Sequence, residues 1–364
     1  MAAEKADNSV VTPDHFPGTP HPAAQTILIG HETAEKDFLE AVRQKRLHHA
    51  WLIGGLEGIG KATLAYRIAR FILHHRPENA VSAETLDIPK ESETFRQIEA
   101  FSHPNLWVLR RHMTSEGKIS AVINVDSVRK ALGLFTATSV AGRHRICIID
   151  SADDLNNSSA NALLKLIEEP PPNSLFLIIS HAPQRLLPTI RSRCRKLILR
   201  PLSDEQIRNT IPHLGEKWQQ TFMQNSEAAL GMGEGSVRQT LKMLSDSNFD
   251  YIKRIEAILS RLPSKDDRVI LSLAESFTQK DAEDRLSLFL DFVQNWISAF
   301  IKQKLDQQKQ LENSTIPPSN FIPVINSVDQ LIFNIQQSEI YNLDRRSLII
   351  RFFDDLAKAM KNIF

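Results

Sequence analysis

Short apolar runs alternate with amphipathic stretches along the chain up to about residue 203. Five runs have the length of buried strands and are apolar except for charged residues at the ends of two of them, at residues 50–53, 106–109, 145–150, 175–179 and 196–199. Apolar residues recur at helical spacing in the stretches between and before them, over 33–46, 62–75, 92–100, 125–138 and 156–168. Because such strands alternate with helices, the pattern predicts a mainly parallel sheet covered on both faces.

From about residue 204 the pattern becomes helical throughout, with a proline-containing break at 312–318. The N-terminal residues carry several prolines and no continuous apolar run, which is typical of a flexible lead-in. The sequence therefore predicts a flexible lead-in, an α/β core, a small helical domain and a larger helical domain, at residues 1–25, 26–203, 204–248 and 249–364.

The composition of the 364 residues is that of a globular protein, with 42% hydrophobic and 24% charged residues. A net charge of +1 gives no strong field toward nucleic acid or membrane, so any nucleic-acid contact has to be local or shared with partners. The chain has no long apolar run and no secretory signal at its start. Two cysteines, Cys147 and Cys194, exclude a disulfide framework and fit a reducing cytoplasm.

A glycine-rich stretch joins the first predicted strand to the helix after it. It reads Gly55-Leu56-Glu57-Gly58-Ile59-Gly60-Lys61, the pattern of a loop whose backbone N–H groups surround phosphates while the lysine reaches the outer ones. That motif needs a hydroxyl directly after the lysine to hold Mg²⁺, and Ala62 has none. Thr63 lies about 100° further around the helix and should not substitute cleanly. The candidate nucleotide-binding residues here are Gly55, Gly58, Gly60, Lys61 and Thr63, and the alternative is a glycine-rich turn without ligand.

Asp150 ends the third predicted strand, at the edge where open parallel sheets bind ligands. It is the candidate metal-site residue of an ATPase, and the alternative is an acid at the start of a helix, a role open also to Asp153 or Asp154. Activation of a water needs a positioned proton acceptor, and the next residue, Ser151, is a poor base. We therefore expect the hydrolytic role to be lost.

Arg193 lies just before the last predicted strand. An arginine donated across a subunit interface stabilises the charge on a transferring γ-phosphate, and the alternative here is a surface salt bridge. Two histidine pairs, His48-His49 and His74-His75, have no acids or thiols at ligand spacing, so no metal is predicted.

Several stretches together resemble the bacterial clamp-loader branch of the AAA+ family. They are residues 46–52 leading into the glycine loop, 161–171 and 186–195. Residues 235–238 resemble the second sensor of the family, in its helical lid, and Ser180 falls at the first sensor, which is usually Thr. Residues 341–346 resemble the end of the family's collar domain. The similarity covers about residues 25–364.

The resemblance implies an AAA+ core, a helical lid and a helical collar that assembles with sister subunits. It implies a clamp-loader subunit of the DNA polymerase III holoenzyme, a DNA-directed DNA polymerase complex, with gamma/tau and delta subunits as partners. The resemblance also implies that the complex acts on the sliding clamp and primed DNA in the cytoplasm, and that no membrane is among its partners. Arg193 would then complete the ATP site of a neighbour, while a degenerate site that includes Asp150, Ser180 and Arg238 holds ATP or ADP without hydrolysis.

Two departures from the family pattern matter. Many members carry four zinc-binding cysteines after the phosphate-loop helix, but residues 76–104 contain none, so no zinc is expected. Motor subunits carry Glu where this chain has Ser151, so we expect a non-hydrolysing stator without intrinsic ATPase activity. The alternatives are an active AAA+ ATPase of the gamma/tau type, which is an enzyme, and an adaptor that binds ATP without cutting it.

Overall fold

The computed structural model describes residues 15–111, 119–120, 122–136, 144–278, 282–310, 317–341, 344–361 and 363. The chain divides into two compact units, the first made of Met1–Ser226 and Gly233–Gln239, the second of Glu227–Met232 and Thr240–Phe364. The division into core, lid and collar at 203 and 248 stays a prediction.

The first unit contains a five-stranded parallel sheet. Its strands are β1 (Ala50–Gly54), β2 (Leu106–Arg110), β3 (Arg145–Asp150), β4 (Ser174–Ser180) and β5 (Arg195–Ile198). Their spatial order is β2-β3-β4-β1-β5, and each neighbouring pair is parallel. The predicted parallel sheet is confirmed. Because β4 lies between β1 and β3, the carboxyl ends of these three strands meet at one edge, which the candidate site occupies.

Helices cover both faces of this sheet. The helices of the core are α1 (Glu32–Arg43), α2 (Lys61–His74), α3 (Pro77–Ala80), α4 (Glu93–Glu99), α5 (Val125–Thr136), α6 (Asn157–Glu168) and α7 (Pro188–Ser192). Trp51 and Ile148 pack with α1 and α2 on one face, whereas Leu52 and Ile149 pack with α5 and α6 on the other. Successive strand residues point to opposite faces, so continuously apolar strands supply two core layers at once.

The described residues after β5 are mainly helical, as predicted. The helices are α8 (Asp204–Thr210), α9 (Glu216–Gly233), α10 (Val237–Leu244), α11 (Asp246–Arg261), α12 (Asp267–Glu275), α13 (Ala282–Gln310), α14 (Ile322–Tyr341) and α15 (Arg345–Met360). In the part of the chain that the structure describes, no helix has the length and apolar content needed to cross a membrane. Most of the predicted break at 312–318 lies outside the described residues.

Residues 15–25, predicted as part of a flexible lead-in, are instead fixed to the core. Arg70 of α2 is buried, and its guanidinium donates hydrogen bonds to the carbonyls of Ala23 and Gln25. A buried guanidinium needs hydrogen-bond acceptors, and the carbonyls of this segment supply them. The same hydrogen bonds hold the segment against α2. The sequence pattern could not show this, because the partner lies on a helix far along the chain. Residues 1–14 are outside the described residues.

His21 should make this packing sensitive to acid. Its ring lies edge-on to Phe101 and Tyr66, with centroid distances of 4.9 and 5.7 Å. Burial, helped by the nearby charges of His15 and Arg110, lowers the pKa of His21 from 6.5 to about 4. Between these values the unfolded chain binds a proton that the folded chain does not, so the free energy of unfolding falls as pH falls from 6.5 to 4.

We expect the His21→Gln variant to lose roughly 2 kcal/mol of this acid sensitivity. Urea unfolding at pH 7 and pH 4.5 measures it, with exposed His213→Gln as the matched control. Equal acid sensitivity of His21→Gln and the unchanged chain would contradict the assignment.

Candidate nucleotide site

The glycine loop connects β1 to the first turn of α2, so the predicted strand–loop–helix arrangement is confirmed. Gly58 and Gly60 have φ angles of 76° and 105°, in the region that favours glycine. At Gly58 a Cβ would also lie 2.2 Å from Cβ of Arg238, so a side chain there would collide with the backbone region that covers the loop. Glycine is therefore required at this position by conformation and by space.

Lys61 points back onto its own loop. Its Nζ donates hydrogen bonds to the carbonyl of Gly55, at 2.7 Å, and to that of Leu56. Burial lowers the pKa of this ammonium from 10.5 to about 8, while three nearby carboxylates act in the opposite direction, those of Glu57, Asp150 and Asp153. The lysine is thus still mainly charged at neutral pH, but loop carbonyls occupy two of its hydrogens.

The residues after Lys61 fit a magnesium–nucleotide complex poorly. Ala62 begins the helix interior without a hydroxyl, and Thr63 is half-buried one position further along α2. A phosphate loop uses the hydroxyl at the position of Ala62 to bind Mg²⁺. These residues therefore leave the phosphate loop without its usual hydroxyl ligand to the ion.

Asp150 lies at the end of β3, in register with Arg110 of β2. The next residue, Ser151, is buried and its hydroxyl donates to Asp154 at 3.4 Å. Asp154 also lies 3.4 Å from the guanidinium of Arg111. A serine hydroxyl is a poor base, so Ser151 does not supply the proton acceptor for an attacking water.

Ser180, at the end of β4, donates a hydrogen bond to Asp153 at 3.0 Å. The same carboxylate accepts from the backbone N–H groups of His181, at 2.7 Å, and Ala182, at 3.0 Å. Burial acts to raise the pKa of Asp153, but these hydrogen bonds together lower it below its usual value. Asp153 therefore organises the turn after β4, a role that sequence reasoning assigned to no residue.

Gly233–Gln239, which we call the lid segment, closes over the phosphate loop within the first unit. The Ser236 hydroxyl donates to the carbonyl of Glu57 at 2.7 Å, and the Arg238 guanidinium lies 3.1 Å from the Glu57 carboxylate. The backbone N–H of Arg238 donates to the carbonyl of Gly58 at 3.4 Å. The structure thus places Arg238 against the phosphate loop together with Glu57 and Ser236, which sequence reasoning missed, and its role in nucleotide binding stays a prediction.

Arg193 follows α7 and precedes β5, as predicted. Its guanidinium donates to the carbonyl of Thr189 at 3.1 Å and lies 2.9 Å from the Glu168 carboxylate. Both side chains of the ion pair are about 40% exposed, at 41% and 39%. The surface salt bridge considered as the alternative is thus present. Exposed pairs of this kind contribute only about 0.2–1 kcal/mol, so Arg193 can exchange Glu168 for another anion at small cost.

The site and its sheet define the class of protein. A phosphate loop ends β1, an acid ends β3, and β4 with Ser180 lies between them. This is the α/β core of an AAA+ protein, followed by helical parts. Among the described residues, no group of three or more acids, histidines or cysteines is placed to hold a metal ion.

Comparison with known proteins finds similarity to DNA polymerase III subunits. Residues 30–203 match the model described as "DNA polymerase III, delta subunit". The delta-prime subunit of DNA polymerase III from Pseudomonas aeruginosa is 37% identical over 146 residues, 40% of this chain and 41% of that protein. The Escherichia coli tau subunit is 27% identical over 267 residues, 72% of this chain and 39% of its own length. The Escherichia coli delta-prime subunit is 26% identical over 276 residues, 75% of each chain.

The chain therefore spans about two fifths of the first two relatives, by the shares of 41% and 39%, and three quarters of the third. Its similarity to DNA polymerase III subunits lies mainly in residues 30–203, and its resemblance to the delta-prime subunit is confirmed.

Proposed function

We propose that the chain is a stator of the DNA polymerase III clamp loader in DNA replication. In this role it assembles with gamma/tau and delta subunits in the bacterial cytoplasm. Through the complex it helps to place the sliding clamp on primed DNA. The relatives named delta-prime, tau and gamma support the choice of complex.

The observation that carries the stator role is the contrast between the chain's own site and Arg193. The chain's own site has Ala62 where Mg²⁺ needs a hydroxyl, and buried Ser151 where water activation needs a base. The two defects affect separate steps, metal binding and proton transfer. Arg193 is half-exposed and does not depend on either residue.

Arg193 acts in this proposal on the ATP of a neighbouring subunit. A guanidinium suits this task because it is always charged and can donate two parallel hydrogen bonds to phosphate oxygens. Its weak bond to Glu168 leaves it available when a neighbour docks. The chain's own loop, in turn, holds ATP or ADP without hydrolysis when the lid segment allows entry.

The purified chain is expected to show no ATP turnover above that of its Lys61→Ala variant. The physical reason is the joint loss of the metal-binding hydroxyl and the general base. A phosphate-release assay at millimolar ATP and Mg²⁺ measures it, with a gamma/tau subunit as the positive control. Substantial turnover that Lys61→Ala abolishes would favour the alternative, an active ATPase of the gamma/tau type.

A further inference from the structure

The phosphate loop contains a negatively charged residue, Glu57. Glu57 lies within the loop, where nucleotide phosphates would approach, and its side chain is half-exposed at 51%. Its carboxylate pairs with Arg238 at 3.1 Å, and its carbonyl accepts the Ser236 hydroxyl at 2.7 Å. Glu57 is thus held to the lid segment by its side chain and by its backbone.

The positive groups that could attract phosphates are already engaged. Lys61 donates to the carbonyls of Gly55 and Leu56, and Arg238 pairs with Glu57. A nucleotide would have to displace these partners and enter beside a carboxylate of like charge. Two unit charges 4 Å apart repel by about 1 kcal/mol even in water, and by more where the solvent is partly excluded.

We propose that Glu57 is the residue that determines nucleotide access, acting as a built-in anion that holds the lid segment over the phosphate loop. The ligand class that it excludes is a nucleoside diphosphate or triphosphate. The inference rests on the proposed function in one respect, since it concerns the access of nucleotide to a loop that holds nucleotide without hydrolysis. It adds that removing one charge from the loop makes nucleotide binding tighter.

The backbone contacts make a clean test possible. The Ser236 hydroxyl and the Arg238 N–H bind carbonyls of the loop, not the Glu57 side chain. Glu57→Gln therefore removes the charge and keeps the side-chain size and these contacts. The matched control is Glu99→Gln, because Glu99 is an exposed glutamate at the end of α4, away from the loop sequence.

Titration of the full-length chain with methylanthraniloyl-ATP and methylanthraniloyl-ADP measures access directly. We expect Glu57→Gln to bind both at least about tenfold more tightly than the unchanged chain, and Glu99→Gln to bind like the unchanged chain. Adding Lys61→Ala to Glu57→Gln should abolish the gain, which places the bound nucleotide at the loop. Equal binding by Glu57→Gln and the unchanged chain would overturn the proposal, as would a gain that survives Lys61→Ala.

Phosphate release measured on the same samples separates this inference from the proposed function. Tight binding by Glu57→Gln without hydrolysis supports both. Hydrolysis by the unchanged chain would remove the stator role, while the binding comparison would still decide the role of Glu57.

Discussion

Replacing Arg193 by alanine should lower ATP turnover by the reconstituted clamp loader by about 10³-fold, the lower end of the effect of transition-state arginines in GTPases. The fall should appear in kcat, because the guanidinium stabilises charge that develops only as the γ-phosphoryl group is transferred. Loader assembled from the variant and unchanged gamma/tau and delta subunits is assayed for phosphate release with saturating primed DNA and clamp.

Two variants control for trivial causes. Arg185→Ala removes an exposed arginine eight residues before Arg193 and should leave turnover unchanged. Arg193→Lys keeps the charge but loses the fork that binds two oxygens, so it should restore only part of the rate. Loss of the pair with Glu168 should change the free energy of unfolding by less than about 1 kcal/mol, so a slow loader that is correctly assembled reports catalysis. Normal turnover with Arg193→Ala would exclude the donated-arginine role.

The sheet could be predicted because its strands carry their own signal. Residues 146–149 and 175–179 are apolar and buried at every position, as strands covered on both faces must be. Helix ends could also be predicted where a nearby residue caps or interrupts the helix. Asn156 accepts a hydrogen bond from the backbone N–H of Ser159 at the start of α6, and prolines follow its end.

The sequence indicated which residues belong to the candidate site, but it did not indicate which groups they bind. Lys61 and Arg238 were identified as members of one site, and the structure places both at the phosphate loop. Lys61 binds carbonyls of its own loop, whereas the partner of Arg238 is set by an approach between distant segments, in which Ser236 and Glu57 are 179 residues apart in sequence. No local pattern shows that an arginine named as a phosphate contact already binds a carboxylate. The fixed lead-in was missed for the same reason.

The largest effect on folding is expected in the second unit, at Phe289 of α13. This side chain is fully buried and packs edge-to-face against Phe277, Phe352 and Phe353, with centroid distances of 5.3, 6.1 and 6.0 Å. Three helical segments thus share one aromatic centre, and truncation leaves a cavity that none of them can fill alone. Phe289→Ala should lower the free energy of unfolding of this unit by about 3–5 kcal/mol.

Urea unfolding followed by circular dichroism measures the loss. Phe333→Ala is the matched control, because Phe333 is 55% exposed on α14 and its removal should change the free energy of unfolding by less than about 0.5 kcal/mol. If the second unit is the assembly domain that the resemblance implies, Phe289→Ala should also fail to co-purify with gamma/tau and delta subunits at temperatures where the first unit is folded. Equal destabilisation by the two variants would contradict the packing argument. Normal assembly of an unfolded second unit would instead contradict its role as the collar.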